Sequence, residues 1–178
     1  EDRTRKSREI AIQPAPPGHH VFSTLHTTAA PSAIARLIDM GIKPFLVASS
    51  IQAVMAQRLI RVLYDDSKEL AQPHEIDHKF LRLIGMTPEE AEGRVYKAVP
   101  CAQSPTGYKG RKAIFEMMLM DAAIRDAAFK LAPVSELRKL ALQGGMRPLV
   151  EDGKRKVLSG TTTPDEIARV SQVEEGTG

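Results

Sequence analysis

The sequence has no tryptophan, a single cysteine and an aromatic share of 4%. With so few rings, any core must rest on Leu, Ile, Val, Ala and Met. The lone Cys101 excludes an internal disulfide and fits a reducing compartment. No apolar run reaches the roughly 18 residues that a membrane-spanning helix needs. The first residues also lack the apolar stretch of a signal peptide. Neither charge sign dominates: 25 Lys and Arg stand against 22 Asp and Glu, for a formal net charge of +3. Outside the basic stretch Arg3 to Arg8 the charges are interspersed. That pattern is a solvated surface, so nucleic acid is not an expected partner. The basic stretch itself reads as a solvated helix start, with contact to acidic lipid as the alternative. Also missing is any Gly-x-x-x-x-Gly-Lys-[Ser/Thr] loop, whose backbone N–H groups and lysine cradle phosphates. The 178 residues alone are therefore expected neither to bind ATP well nor to hydrolyse it.

At this length the chain can hold one core, or part of a sheet with a small helical domain. It starts at Glu1 inside a charged run with no methionine, and is read as a piece of a longer protein. Pro14, Pro16 and Pro17 shorten whatever helix begins before them.

The most informative stretch runs from Gly18 to Thr27. Val21 to Leu25 reads as a short buried strand ending on His26, with Thr24 and Thr27 beside it. The C-terminal edge of a strand is where open α/β sheets bind ligands. A histidine there can donate to a phosphate oxygen, or it can hydrogen-bond a neighbouring loop.

A helix is expected over 29–40, with Thr28 as N-cap, Pro31 in its first turn and Ile34, Leu37 and Ile38 as its apolar stripe. Gly41 and Pro44 end it. A longer helix is expected over 45–63, placing Arg58 and Arg61 on one face. A short helix is expected around His74 to Leu83, and Thr87 to Glu90 forms a capping box. Strands are expected over Arg94 to Val99 and Gly110 to Met118, with Thr106-Gly107 as a turn. Beyond these the pattern is helical. Asp121 caps 122–131, Ser135 caps 136–142, Gly144-Gly145 breaks, and Arg147 to Leu158 is closed by Gly160. Thr163-Pro164-Asp165-Glu166 opens a last helix, and a disordered tail follows Val173.

Several blocks occur in one order: Leu25-His26-Thr27, Ala33 to Gly41, Ala56-Gln57-Arg58-Leu59-Ile60-Arg61, Thr106 to Arg111, Gly145-Met146-Arg147, and Asp152-Gly153-Lys154. In that order and spacing they resemble the C-terminal part of the secretion ATPase superfamily, the hexameric motors of type II secretion and type IV pilus assembly. The resemblance runs from Glu1 to about Val173.

The resemblance implies an α/β fold: the second half of a RecA-like P-loop NTPase core, then a small, mainly α-helical C-terminal domain. It divides the chain into 1–63 (core half), 64–110 (a degenerate zinc-site-type insertion), 111–173 (helical domain) and 174–178 (tail). It implies that His26 lies beside the nucleotide phosphates, with Thr24 and Thr27 assisting. Thr28 and Ala29 stand where the family has Asn and Asp. Counting back from Glu9-Ile10-Ala11-Ile12 places the family's catalytic glutamate on Glu1 and its arginine on Arg3. Thr4, Lys6 and Ser7 depart from that pattern. Arg58 and Arg61 are implied near the nucleotide or a neighbouring subunit, with structural ion pairs as the alternative. Tyr108, Gly110 and Arg111 are implied to fix a turn. Gly145, Met146, Arg147, Leu149, Gly153 and Lys154 align with a motif that couples nucleotide state to movement; the alternative is a packed surface helix.

Secretion-type relatives carry two Cys-x-x-Cys pairs that bind zinc, and here those positions hold Tyr64, Ser67, Cys101 and Ser104. No zinc is expected, although His74, His78 and Cys101 offer a conceivable replacement site. By the same resemblance the complete protein uses ATP and Mg²⁺ and forms a homo-hexamer. It lies in the cytoplasm against the bacterial inner membrane, working with a membrane platform protein and the cytoplasmic parts of the machine. A non-catalytic scaffold that keeps the fold for oligomerisation is the alternative.

Overall fold

The computed structural model describes residues 21–171. Their contacts divide them into two units, each drawing on two separated stretches: 21–56 with Glu116–Met146, and Gln57–Phe115 with 147–171. The limits at 63 and 110 read from sequence follow motif blocks, whereas this division follows contacts.

In the first unit, helix α1 (Ala30–Asp39) begins with Pro31 near its N-terminus, where a missing N–H costs nothing. Ala30, Ala33, Ile34 and Leu37 are its buried stripe. Gly41 follows with φ 87°, the left-handed geometry that ends a helix cheaply in glycine. Helix α2 (Pro44–Ser50) buries Val47 and Ala48. The unit also takes the start of β1 (Ala53–Leu63), the end of a strand introduced below, and helices α5 (Ala122–Phe129) and α6 (Val134–Gln143). Helix α2 packs on α5, α1 on α6, and α5 on α6. Asp121 caps α5 by accepting the Ile124 N–H at 2.9 Å. The Arg125 guanidinium donates to the Ala48 carbonyl and to Gln52 Oε1, tying α5 to the end of α2.

In the second unit, β2 (Glu69–Leu70) pairs antiparallel with β3 (Tyr96–Lys97), Glu69 opposite Lys97. Helix α3 (His78–Leu83) is capped by Asp77 and α4 (Pro88–Ala91) by Thr87, whose capping box with Glu90 forms as expected. Strand β4 (Tyr108–Leu119) pairs with β1. Tyr64 donates its N–H to the Gly107 carbonyl at one end, and Met120 donates to the Gln52 carbonyl at the other, so the two strands run antiparallel. Helix α7 (Leu149–Leu158) packs on α8 (Pro164–Ser171), and α8 packs on α3. The α7–α8 approach depends on Gly153, where a Cβ would lie 2.6 Å from Ile167 Cγ2.

The helix expected over 45–63 is a helix followed by a strand. Ile51 is extended, which ends α2, and from Val54 onward burial alternates. Ala56 and Ile60 face in while Met55 and Leu59 face out. The residues are mostly good helix formers, but pairing with β4 supplies backbone hydrogen bonds that outweigh the local preference. Arg58 and Arg61 therefore do not share a face, because side chains three apart on a strand point to opposite sides.

The expected strand Val21 to Leu25 is irregular and joins neither sheet. A strand needs a partner for its N–H and C=O groups, and Phe22 is left 95% exposed. The helix expected around His74 to Leu83 splits into a 3₁₀ turn (Pro73–Glu75) and α3. Ala29, not Thr28, holds the N-cap position of α1, and Pro133, not Ser135, that of α6. Helix α5 ends at Phe129, two residues before 131. The shortened helix before Pro14 and the tail after Val173 lie outside the described residues.

Candidate functional site

His26 lies in the irregular lead into α1, exposed, with Thr24 exposed and Thr27 half-buried. The backbone turns into α1 at Ala29, whose φ of −141° and ψ of 158° are extended and whose side chain has no oxygen with which to cap. The acceptor comes instead from a distant element. Glu116 Oε1 on β4 accepts the Ala30 N–H at 2.6 Å. Glu116 is a buried carboxylate between Ile114 and Met118 on the inward row of its strand. His26, Ala30 and Glu116 belong to the first unit. Glu1 lies outside the described residues.

Arg58 and Arg61 belong to the second unit. Arg58 is half-buried. Arg61 is held by Glu166, which has no exposed surface. Its backbone N–H donates to Glu166 Oε1 at 2.9 Å, and its Nε and Nη2 donate to Oε2 at 2.9 and 2.7 Å. Arg169 Nη2 donates to Glu166 Oε1 at 2.7 Å from the same helix. Burial pushes the Glu166 carboxyl upward, but the donors of Arg169 and Arg61 outweigh it and hold the group at about 2. The same bonds raise Arg61 and Arg169, with burial opposing.

The Arg61 guanidinium also stacks 4.2 Å from the Tyr108 ring centroid. The Tyr108 hydroxyl bonds Thr163 Oγ1 at 2.7 Å. Burial raises the Tyr108 phenol, with the Thr163 bond and Arg61 acting the other way. Thr162 Oγ1 donates to the Arg61 carbonyl, and Leu63 donates its N–H to the Thr161 carbonyl. The end of β1 is thus laced to the start of α8. The ion-pair reading of Arg61 has a full structural account here.

The block from Gly145 to Lys154 is divided between the units after Met146. Gly145 has φ 92° and closes α6, with Met146 buried behind it. Leu149 is buried at the start of α7, and Gly153 meets Ile167. Arg147 Nε lies 3.9 Å from Glu151 on the exposed side. Lys154 Nζ donates to the Gly85 carbonyl at 2.8 Å and to Glu90 Oε2 at 2.8 Å. Asp152 Oδ2 accepts the Phe115 N–H at 3.1 Å.

Tyr64, Ser67, Cys101 and Ser104, the four positions compared above with a zinc site, make other contacts. Ser67 Oγ donates to the Val99 carbonyl and Ser104 Oγ to the Tyr108 carbonyl, each at 2.8 Å. Cys101 and Ser104 exchange backbone hydrogen bonds, and the Lys109 ammonium lies 4.8 Å from the Tyr64 ring centroid. His74 and His78 are both exposed. The structure does not gather them with Cys101: among the described residues no cluster of three His, Cys, Asp or Glu could hold a metal. Among the same residues, no helix is long and apolar enough to cross a membrane.

Reading from sequence missed Glu116 and the burial of Glu166. For Glu116 a signal exists: it is the one charged residue in the apolar run from Ala113 to Met120, where a buried charge needs a partner.

The profile of the type II/IV secretion system protein family matches residues 1–169. Type II secretion system protein E of Xanthomonas campestris pv. campestris is 40% identical over 174 residues, covering 97% of this chain. The Pseudomonas aeruginosa protein of the same name is 41% identical over 175 residues, covering 98%. The type IV pilus assembly ATPase PilB of Thermus thermophilus is 38% identical over 169 residues, covering 94%. The chain spans only part of each relative: 30%, 34% and 19% of their lengths respectively. With the match extending from residue 1 to residue 169, through the His26 segment and both units, this chain belongs to the type II/IV secretion system protein family.

Proposed function

We propose that the chain is the C-terminal part of a motor ATPase that powers type II secretion or type IV pilus assembly. In this reading it contains the second half of a RecA-like core, with domains at 1–63, 64–110 and 111–173. The observation that carries the proposal is the exposed His26, presented just ahead of α1 in a chain that the family covers almost throughout.

ATP with Mg²⁺ is the group this reading implies. His26 and the hydroxyls of Thr24 and Thr27 suit contact with phosphate oxygens, whereas the 178 residues hold no phosphate loop. They contribute to a nucleotide site without building one. When bound, the nucleotide supplies the phosphoryl group whose transfer to water releases the driving energy. Such transfer depends mainly on positioning and charge stabilisation. His26 donates a ring N–H toward a phosphate oxygen, and Glu1 orients or deprotonates the attacking water. Arg58 and Arg61 lie toward the nucleotide or a neighbouring subunit, Arg61 through its fixed pairing with Glu166. The block Gly145 to Lys154 couples nucleotide state to movement.

The complete protein forms a homo-hexamer in the cytoplasm, peripheral to the bacterial inner membrane. Its partners are the platform protein and cytoplasmic parts of the machine; it uses no nucleic acid and no zinc. The test is ATP turnover by the complete protein. His26→Ala should abolish most hydrolysis with an unchanged circular dichroism spectrum, and undiminished turnover would remove His26 from the mechanism.

A second reading, a non-catalytic scaffold, is favoured by the commitment of Arg61 to Glu166, which accounts for that arginine without any nucleotide. A complete protein that assembles into rings but neither binds nor hydrolyses ATP would establish it.

A further inference from the structure

Helix α1 follows His26 by four residues, and its N-terminus has no cap of its own. Ala29 offers no side-chain oxygen, and the first turn carries no acid. The anionic partner of this helix end is Glu116, 86 positions away on β4 and 2% exposed. A carboxylate there satisfies an orphan N–H and the positive end of the helix dipole. Burying that charge on an apolar strand row is a costly way to cap a helix when an Asp, Asn or Ser at position 29 would serve. The two devices differ in one respect. A local cap moves with its helix, whereas a cap borne by a strand ties the helix end to that strand.

We propose that Glu116 is a positioning residue for His26: by binding the Ala30 N–H it ties the start of α1, and with it the His26 segment, to β4. The proposal rests on the reading of His26 given above. Only three residues separate His26 from Ala30, so a shift of the helix end is passed to the imidazole with little slack. A displacement of about 1 Å can cost a positioned group up to about 100-fold in rate.

The test uses Glu116→Gln, which keeps an acceptor without charge, Glu116→Met, which removes it, and Ala29→Asp, which supplies a local cap. On the 178-residue chain, amide hydrogen exchange at Ala30 and the next turn of α1 should quicken in Glu116→Met, while the core of α5 and α6 stays protected. Adding Ala29→Asp should restore protection from the Ser32 amide onward but not at Ala30, because an N-cap side chain accepts from N2 or N3 and N2 here is Pro31. In the complete protein, kcat should fall about tenfold in Glu116→Met, with less loss in Glu116→Gln and KM for ATP nearly unchanged. Ala29→Asp should not restore kcat, because a local cap does not bind the helix to the strand. In a His26→Ala background neither Glu116 variant should lower turnover further.

Recovery of kcat together with protection would reduce Glu116 to an ordinary cap and overturn the proposal. So would an unchanged kcat, or a loss that adds in full to that of His26→Ala. If Glu116→Met does not fold, Glu116→Gln decides by the same comparison. Undiminished turnover in His26→Ala alone would instead overturn the reading of His26, and the two failures are thereby separated.

Discussion

Glu166 and Arg61 stand 105 positions apart, and one carboxylate of Glu166 takes both the backbone N–H and the guanidinium of Arg61. Through this contact the first turn of α8 fixes the end of β1. The two arginines on Glu166 keep their outer surfaces in water while the carboxylate has none.

Removing the charge of Glu166 should therefore destabilise the second unit. Glu166→Gln keeps the shape but weakens the bonds to both guanidinium groups and to the Arg61 N–H. Hydrogen bonds to charged groups contribute about 1.5–3 kcal/mol, so a loss of roughly 2–3 kcal/mol is expected. Urea unfolding of the variant and the parent chain measures it. A difference under about 0.5 kcal/mol would show that the cluster is only surface decoration.

The same carboxylate predicts a pH dependence. Its folded value of about 2 lies below the ordinary 4.5. Between these values the unfolded chain binds more protons than the folded one, so stability rises with pH. The contribution is fully present above about pH 4.5 and disappears as pH falls through 2, for a few kcal/mol in all. Melting temperatures from pH 2 to 6 should show a shallower slope in Glu166→Gln. Parallel curves would assign the acid sensitivity to other carboxylates.

Gly153→Ala should destabilise, although alanine is the better helix former. The propensity gain is about 1 kcal/mol. Against it stands a Cβ 2.6 Å from Ile167 Cγ2, which forces α7 and α8 apart. Overpacking of this kind costs about 1–3 kcal/mol. A double-mutant cycle with Ile167→Ala should show coupling between the two sites; purely additive effects would contradict the close approach.

Leu131→Gly should stabilise. Leu131 has φ 59° and stands just past α5, where Leu131 N–H bonds the Ala128 carbonyl and Ala132 N–H bonds the Ala127 carbonyl. That is the helix-ending motif in which glycine is usual. A left-handed leucine costs about 1–2 kcal/mol, and its side chain is largely exposed, so little packing is lost. After the added backbone entropy of glycine, a net gain of about 0.5–1 kcal/mol is expected in thermal or urea unfolding. A loss of stability would mean that the leucine is packed in solution.

What was legible in the sequence was whatever local chemistry decides. Thr87 with Glu90, Asp121 before α5, Gly41 after α1, and Thr163 with Pro164 before α8 all lie where their capping chemistry places them. The strand expected over Gly110 to Met118, after the Thr106-Gly107 turn, is found as β4, Tyr108–Leu119. The family could also be read from the order of its motifs, because those blocks are contiguous residues.

Other features depended on partners far along the chain. The residues from Ala53 to Leu63 carry helix-forming side chains, and only pairing with β4 makes them a strand. That pairing separated Arg58 from Arg61 and gave Arg61 to Glu166. The sequence offered Thr28 as the cap of α1; that the N-cap falls one residue later, on Ala29, and that Glu116 binds the first N–H of the helix, could not be read, since a hydrogen bond across 86 positions leaves no local pattern. Capping and periodicity are energies of neighbouring residues and can be read in order along the chain. Strand pairing and the burial of a charge are energies of contacts, and the folded chain alone decides which groups meet.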